Sequence, residues 1–305
     1  MTAREGGGRR PLIGTGLEEE ATFEYDVREY PWREVIQSIL EVEGMPLEEL
    51  HKTEEAKLHL LEAGDKEFQQ GWGPGRRANP FLRKWKTFWS RDSTVQDPRT
   101  KRFNDLLHRF VRDFISPRMG NETIIYQREP TLRVVFPSPF VPGKRHTDSE
   151  YHHQPAEVNW WFPVSCRVWG TNSLWVESEP GKEDFHSLDL KYGEVKTLGR
   201  SHRALYMSVT VRLQVCRFYG NQCVHYCEPN STEYTRVSID LRAIPLSKFD
   251  PLYSHRSDRV SFRLGGYYLS THGIGGESSR PPHQQRSTAP EAPGGIIGSS
   301  FPTHY

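Results

Sequence analysis

The spacing of apolar residues changes character once along this chain, near Ile124. Upstream, apolar positions recur at helical intervals. In PWREVIQSILEV, Trp32, Val35, Ile36, Ile39 and Leu40 fall on one helix face, with Pro31 in a first-turn position. A second helix is expected around EELHKTEEAKLHLLEAG, ending at Gly64. The clearest stripe lies in TKRFNDLLHRFVRDFIS, where Phe103, Leu106, Leu107, Phe110, Val111, Phe114 and Ile115 share a face and Pro117 is expected to stop the helix. The stretch GWGPGRRANPFLRKWKTFWSRD interleaves basic and aromatic residues. Such a pattern can stack on nucleotides, but a loop covering a core is the commoner use.

Downstream the period shortens. TIIYQREP, TLRVVFPS, EVNWWFPVS, NSLWVESEP, LYMSVTVRLQVCRFYG and TRVSIDLRAIP are β-branched or aromatic runs divided by Pro, Gly and Asn turns. That pattern predicts a sandwich or jelly roll. The division that follows is a Gly/Arg-rich then acidic flexible arm over 1–20, a helical layer over 21–120, a β domain over 121–270 and a Ser/Pro/Gln/Gly-rich disordered tail over 271–305.

Composition narrows the partners. Lys+Arg 40 against Asp+Glu 39 leaves a net charge of +1, so there is no bulk attraction to nucleic acid or an anionic membrane. No apolar run approaches the ~18 residues of a membrane span, and the N-terminus has no signal-peptide pattern. A cytoplasmic protein is expected, in which Cys166, Cys216, Cys223 and Cys227 are thiols.

The chemistry concentrates in two strings, RHTDSEYHH and GNQCVHYCEPNSTEYTRVSIDLR. In an H-x-D at a strand end, alternation puts the first and third side chains on one face. His146 and Asp148 can then grip one ion while Thr147 points away, and His225 is a candidate third ligand. Two imidazoles and a carboxylate form the facial triad that holds non-haem iron(II) with three positions open. Alone, an H-x-D is a weak signal that surface pairs often match by chance. Arg236 follows His225 by 11 residues, and Ser238 shares the Arg236 face of its strand. A guanidinium fork beside a hydroxyl is a receptor for a carboxylate, such as that of a chelating keto acid. Cys223 and Cys227 flank His225 and invite a zinc reading, although a lone C-x3-C is weak.

The strings YQREPTLRVVFPS, HTDSEYHH, EVNWWFPV, GTNSLWVESEPG, RFYGNQCVHY, PNSTEYTRVSIDLR and FRLGGYY, in that order, resemble the iron(II)/2-oxoglutarate-dependent dioxygenases, and among them the phytanoyl-CoA-hydroxylase-like and StrG-type members. The resemblance implies a mainly β, double-stranded β-helix (jelly roll) behind an N-terminal helical layer. It implies iron(II) held by His146, Asp148 and His225, and 2-oxoglutarate paired through Arg236 with a hydrogen bond from Ser238. Dioxygen and a small polar metabolite, of sugar or aminocyclitol type, would be the other reactants, and hydroxylation the outcome. Asn159 and Trp161, which share a strand face with Glu157, are favoured near the co-substrate; ordinary packing is the alternative. His152 and His153 either contact substrate or sit in an exposed loop. Thr171, Asn172 and Glu177 either bind a polar substrate or cap a hairpin turn.

Two competing functions use the same residues. A cupin-type isomerase or hydrolase would place zinc or manganese on the triad and have no need of Arg236; a binding module would have kept the barrel and lost the metal. One departure from the family pattern bears on activity. YGEV and RFYGN, which follow almost directly on each other in the relatives, are here separated by KTLGRSHRALYMSVTVRLQVC. Residues 195–214 either translate a retained intron or form a real strand, since Met207, Val209, Val211, Leu213 and Val215 alternate with polar residues. Entering shortly before His225, the insertion could displace that ligand and leave a dead oxygenase.

Overall fold

The computed structural model describes Leu12 and residues 14–63, 79–90, 97–201, 204–253 and 262–272, with backbone alone over 191–211. The chain is mainly antiparallel β with helices packed on one side. The strands are β1 Ala21–Asp26, β2 Ile124–Gln127, β3 Thr131–Val135, β4 Gly143–His146, β5 Val158–Pro163, β6 Arg167–Val168, β7 Trp175–Val176, β8 His186–Ser187, β9 Leu190–Ser201, β10 Ala204–Phe218, β11 His225–Cys227, β12 Arg236–Pro245 and β13 Tyr268–Ser270. A large sheet runs β13-β2-β12-β5-β10-β9-β6, with β1 joined to β10 and β3 to β12, and a small one runs β4-β11-β7-β8.

The helices are α1 Trp32–Leu40, α2 Glu54–Ala63, α3 Pro80–Ser90 and α4 Pro98–Arg109. All five apolar residues expected on the α1 face are buried. The expected second helix is instead two pieces, a 3-10 turn Leu47–Lys52 and α2, because Thr53 takes an extended conformation and its hydroxyl accepts from the Ala56 N–H; Gly64 lies outside the described residues. The basic-aromatic stretch is α3 rather than a loop over Pro80–Ser90, and it buries Phe81, Trp85 and Phe88; its first part, 71–78, is outside the described residues. Beyond α4 a wide π turn, Phe110–Ile115, keeps Phe110, Val111, Phe114 and Ile115 all facing inward. Helical winding continues through Pro117 to Met119 as a 3-10 turn and ends at Gly120, whose φ of +87° suits glycine.

Two parts of the expected domain division change. Ala21–Asp26 is not part of a helical layer but a strand, paired with Arg212–Arg217 of β10. Ahead of it, Leu12 is buried and the Arg217 guanidinium donates to the Gly16 and Glu19 carbonyls, so this end of the expected arm is tied to the sheet. Residues 1–11 of that arm and 273–305 of the tail lie outside the described residues.

The large sheet is covered on both faces. Val158, Trp160 and Phe162 of β5 and Val237, Ile239 and Leu241 of β12 belong to the main core with Trp32, Phe103, Phe110 and Phe114 of the helical layer. Between the sheets is a smaller cluster of Trp161, Val168, Val176, Leu188, Leu190, Cys216 and Phe218. All ten residues of β12 are therefore buried. Its inner face, set by period-two alternation, is Arg236, Ser238, Asp240 and Arg242.

The backbone of 192–201 on β9 pairs antiparallel with 204–213 on β10, with Tyr192 opposite Leu213 and Ser201 opposite Ala204. Further along, β10 pairs Cys216, Arg217 and Phe218 with Trp161, Trp160 and Asn159 of β5. Side chains of 195–211 lie outside the described set.

Candidate metal centre

His225 on β11 is directly opposite His146 on β4. Residues opposed across an antiparallel pair point to the same face with Cβ atoms roughly 5 Å apart, and here the ring centroids lie 4.4 Å apart. Each ring is fixed by its other nitrogen. His146 Nδ1–H donates to the Lys144 carbonyl at 2.6 Å, and His225 Nδ1–H to the Cys223 carbonyl at 3.1 Å. That leaves both Nε2 lone pairs aimed into the gap between the sheets, the usual way a second hydrogen bond prepares a ligating imidazole. Burial, and then the neighbouring His225, lower the pKa of His146 and favour its neutral, ligating form.

Asp148 arrives differently from the expected strand alternation. β4 ends at His146, and Asp148 opens a 3-10 turn, Asp148–Tyr151, capped by Thr147 and Glu150. Thr147 does point away, because its hydroxyl serves that cap. The Asp148 N–H donates to the Gly220 carbonyl at 2.8 Å. Its carboxylate is wholly buried, with Oδ1 3.8 Å from His225 Nε2 and 4.0 Å from His146 Nε2. Burial alone would raise its pKa, but the Arg242 guanidinium together with the neighbouring histidines outweighs that and holds it far below the usual carboxylate range. The insertion has not displaced His225: one donor atom from each of His146, Asp148 and His225 lies within 4.8 Å of the others.

Among the described residues this is the cluster suited to a metal. An ion with ligand distances of about 2.1 Å holds adjacent donors about 3 Å apart, so the donors, 3.8 to 4.8 Å apart here, must close by roughly 1 to 2 Å, a side-chain adjustment. The donor set, two neutral imidazoles and one carboxylate, suits iron, zinc or manganese.

Two groups around the triad were not singled out from the sequence. Arg242 donates Nε to Asp148 Oδ2 and Nη2 to Oδ1, both at 2.9 Å, and lies 3.4 Å from Asp240. Glu157, also fully buried, accepts from Tyr268 and lies 2.7 Å from His153 Nδ1. His153 is thus not an exposed loop residue; it is partly buried and packs against Phe262 and Tyr267. Asn159 donates Nδ2 to Asp148 Oδ2 at 2.9 Å and to Asp240 at 3.2 Å, while its Oδ1 has no partner. Gly220 is obligatory here, because a Cβ would meet Asn159 Oδ1 at 2.7 Å. The repeating R-x-S-x-D-x-R of β12 was the available signal for Asp240 and Arg242.

Along the same β12 face, Arg236 is 1% exposed. Its Nη2 lies 3.1 Å from Cys227 Sγ and its Nη1 3.4 Å from the Asn172 carbonyl, with the Trp161 ring centroid 5.9 Å away. Arg236 Nε, Ser238 Oγ and both amide atoms of Asn172 are buried without hydrogen-bond partners. Buried polar groups are nearly always paired, so these four atoms stand out among the described residues. The other candidates have partners within the protein. Glu177 accepts from the Val224 and Glu183 N–H groups, and Thr171 pairs with Ser231. All four cysteines are free, and burial pushes the Cys223 thiol up to about 12.

No family model matches the chain. Over 190 residues, 59% of its length, it is 30% identical to the streptomycin biosynthesis protein StrG of Streptomyces griseus, and the match covers 79% of that protein. The chain belongs to the StrG family. The solved nickel complex of the non-haem monooxygenase ThoJ shares 13% identity with this StrG-family chain at a TM-score of 0.30, over 46% of the chain and 52% of that structure, about half its length. Among the described residues no helix is long and apolar enough to cross a membrane.

Proposed function

We propose that this chain is an iron(II)- and 2-oxoglutarate-dependent dioxygenase built on a double-stranded β-helix, hydroxylating a small polar metabolite with dioxygen. The observation that carries the reading is the pairing of two features on facing sheets. One is a compact His146–Asp148–His225 donor set. The other is a buried polar group in which Arg236 Nε, Ser238 Oγ and the Asn172 amide have no hydrogen-bond partner. A metal-only isomerase or hydrolase of cupin type explains the first feature and leaves the second without a purpose.

His146, Asp148 and His225 would hold the iron, with Asn159 beside the carboxylate ligand. Bound there, the metal supplies activation of dioxygen coupled to oxidative decarboxylation of the keto acid. Arg236 receives the distal carboxylate of 2-oxoglutarate in a charge-assisted fork, Ser238 adds a hydrogen bond, and the Asn172 amide lies within the same group. Trp161, with Val176 and Phe218, forms an apolar wall that keeps this end dry, where charge–charge attraction is stronger than in water. The fixed Nδ1–H bonds of both histidines keep the imidazoles in their ligating orientation. The StrG relative, a streptomycin biosynthesis protein, favours a polar, hydroxyl- or amine-rich substrate.

The test is succinate formation from 2-oxoglutarate by the full chain with added iron(II), comparing wild type with Arg236→Ala. Keto-acid turnover that weakens sharply in the variant supports the reading. No turnover under any metabolite pool, or turnover indifferent to Arg236, rejects it.

A further inference from the structure

Asp148 can present two oxygens to a cation, and the structure treats them unequally. Oδ2 accepts from Arg242 Nε and from Asn159 Nδ2, each at 2.9 Å. Oδ1 accepts one donor, Arg242 Nη2, and is the oxygen turned toward the two histidine Nε2 atoms. A carboxylate oxygen has about two lone-pair sites; Oδ2 has both in use, and Oδ1 keeps one.

The clamp is itself held. Arg242 is buried, its Nη2 lies 3.4 Å from Asp240 Oδ2 and its Nε 3.8 Å from Glu157 Oε2. Its backbone N–H donates to Gln127. Asn159 is seated by the missing side chain of Gly220. Three carboxylates thus converge on one guanidinium, whose planar fork fits one bidentate partner at a time. That partner is Asp148.

We propose that Arg242 is a positioning residue that makes Asp148 a one-oxygen ligand, presenting Oδ1 to a divalent cation and withholding Oδ2. This rests on the metal reading above and specifies what it requires. A six-coordinate ion with three protein donor atoms keeps three positions for a chelating co-substrate and dioxygen. If Asp148 bound through both oxygens, one of those positions would be lost. Lysine keeps the charge but has no fork, so Arg242→Lys isolates the geometry.

The experiment titrates manganese(II) into metal-free full-length protein, measuring affinity by calorimetry and bound exchangeable water by proton relaxation. Arg242→Lys is expected to weaken manganese(II) about ten- to hundredfold and to leave roughly one exchangeable water fewer than wild type, as the freed Oδ2 reaches the ion. Asn159→Leu, which removes one Oδ2 donor without touching charge, shifts both readouts in the same direction by less. A merely structural Arg242 would lower thermal stability and leave the water count alone, so an unchanged count in the folded variant overturns the proposal whatever the affinity. If Arg242→Lys does not fold, Asn159→Leu decides by the same count. Failure of the wild type to bind manganese(II) overturns the metal reading and this inference together. Binding by the wild type that is lost in His146→Ala upholds the metal reading and leaves Arg242 to be judged on its own.

Discussion

Arg236→Met separates a residue kept for a ligand from one kept for the fold. In the chain as it stands, Arg236 is a buried cation with no carboxylate at ion-pair distance among the described residues. A sulfur at 3.1 Å and a carbonyl at 3.4 Å are its acceptors, and Nε has none. Burying an ion costs several kcal/mol even after relaxation, and exchanging buried charge for a matched apolar side chain is often stabilising by about 1–4 kcal/mol. Methionine keeps most of the length and removes the charge. Without keto acid, Arg236→Met should therefore unfold at the wild-type temperature or above it, by up to roughly 16 °C at about 2–4 °C per kcal/mol for a chain of this size. With keto acid the order reverses. A charge-assisted hydrogen bond contributes about 1.5–3 kcal/mol, so affinity for 2-oxoglutarate should fall roughly 10- to 150-fold. A co-substrate concentration one hundred times its Kd stabilises the wild type by about 2.7 kcal/mol and the variant far less. Thermal unfolding with manganese(II), with and without 2-oxoglutarate, reads both effects. A variant that loses more than about 2 kcal/mol without ligand, yet keeps its ligand-induced shift, would show that Arg236 serves the fold and that the carboxylate-receptor argument is mistaken.

His146→Ala and Asp148→Ala should both abolish metal binding but differ in stability under chelator. The first loses a ring with one hydrogen bond, costing about 1 kcal/mol, whereas the second strands buried Arg242 and costs about 3–5 kcal/mol; equal urea midpoints would contradict this. Glu48 accepts both Arg33 nitrogens, at 2.8 and 2.6 Å, and the Cys166 N–H. Burial pushes its carboxyl up, but Arg33 together with the backbone N–H groups of Glu48 and Cys166 outweighs that and sets it below its ordinary 4.5. Its contribution is therefore present above that value and lost as pH falls through the lower folded value. Glu48→Gln should cost about 1–3 kcal/mol at pH 7 and converge with wild type in acid; a constant difference from pH 7 down to full protonation refutes the linkage. In-frame deletion of 195–214 should preserve manganese(II) affinity within about twofold, because Val215–Phe218 and their β1 and β5 partners remain; loss of metal binding would show that the deleted segment supports the site.

The helical stripes and the period-two runs were legible because burial there follows ordinary rules. Trp32, Val35 and Ile36 on α1, and Phe103 to Ile115 across α4 and its π turn, are apolar and inside. β1 was not legible: in ATFEYD the alternation is short, and half of it is partly exposed at the margin of the sheet. α3 was hidden by its five basic and hydroxyl residues, which face outward while Phe81, Trp85 and Phe88 face in. The triad was legible as residue types at a spacing. What fixed Asp148 was not, since its turn and Gly220 act through chain reversal rather than strand alternation.

β12 shows why the remainder of the site escaped a reading by pattern alone. RVSIDLR alternates polar with apolar, which ordinarily marks a strand with one face in water. Here the apolar face meets the helices and the polar face meets a second sheet, so Arg236, Ser238, Asp240 and Arg242 are all buried. Hydrophobic alternation gives the orientation of a strand but not what lies opposite its polar face. Two arginines, an aspartate and a serine in a row, taken out of water, impose a desolvation cost that packing does not recover. At one end the cost is offset within the protein, Arg242 by Asp148 and Asp240. At the other, Arg236 and Ser238 have no such partner. The half of the strand left uncompensated within the protein, where the Arg236 guanidinium meets only a thiol sulfur and a carbonyl, is the half that the Arg236→Met experiment probes.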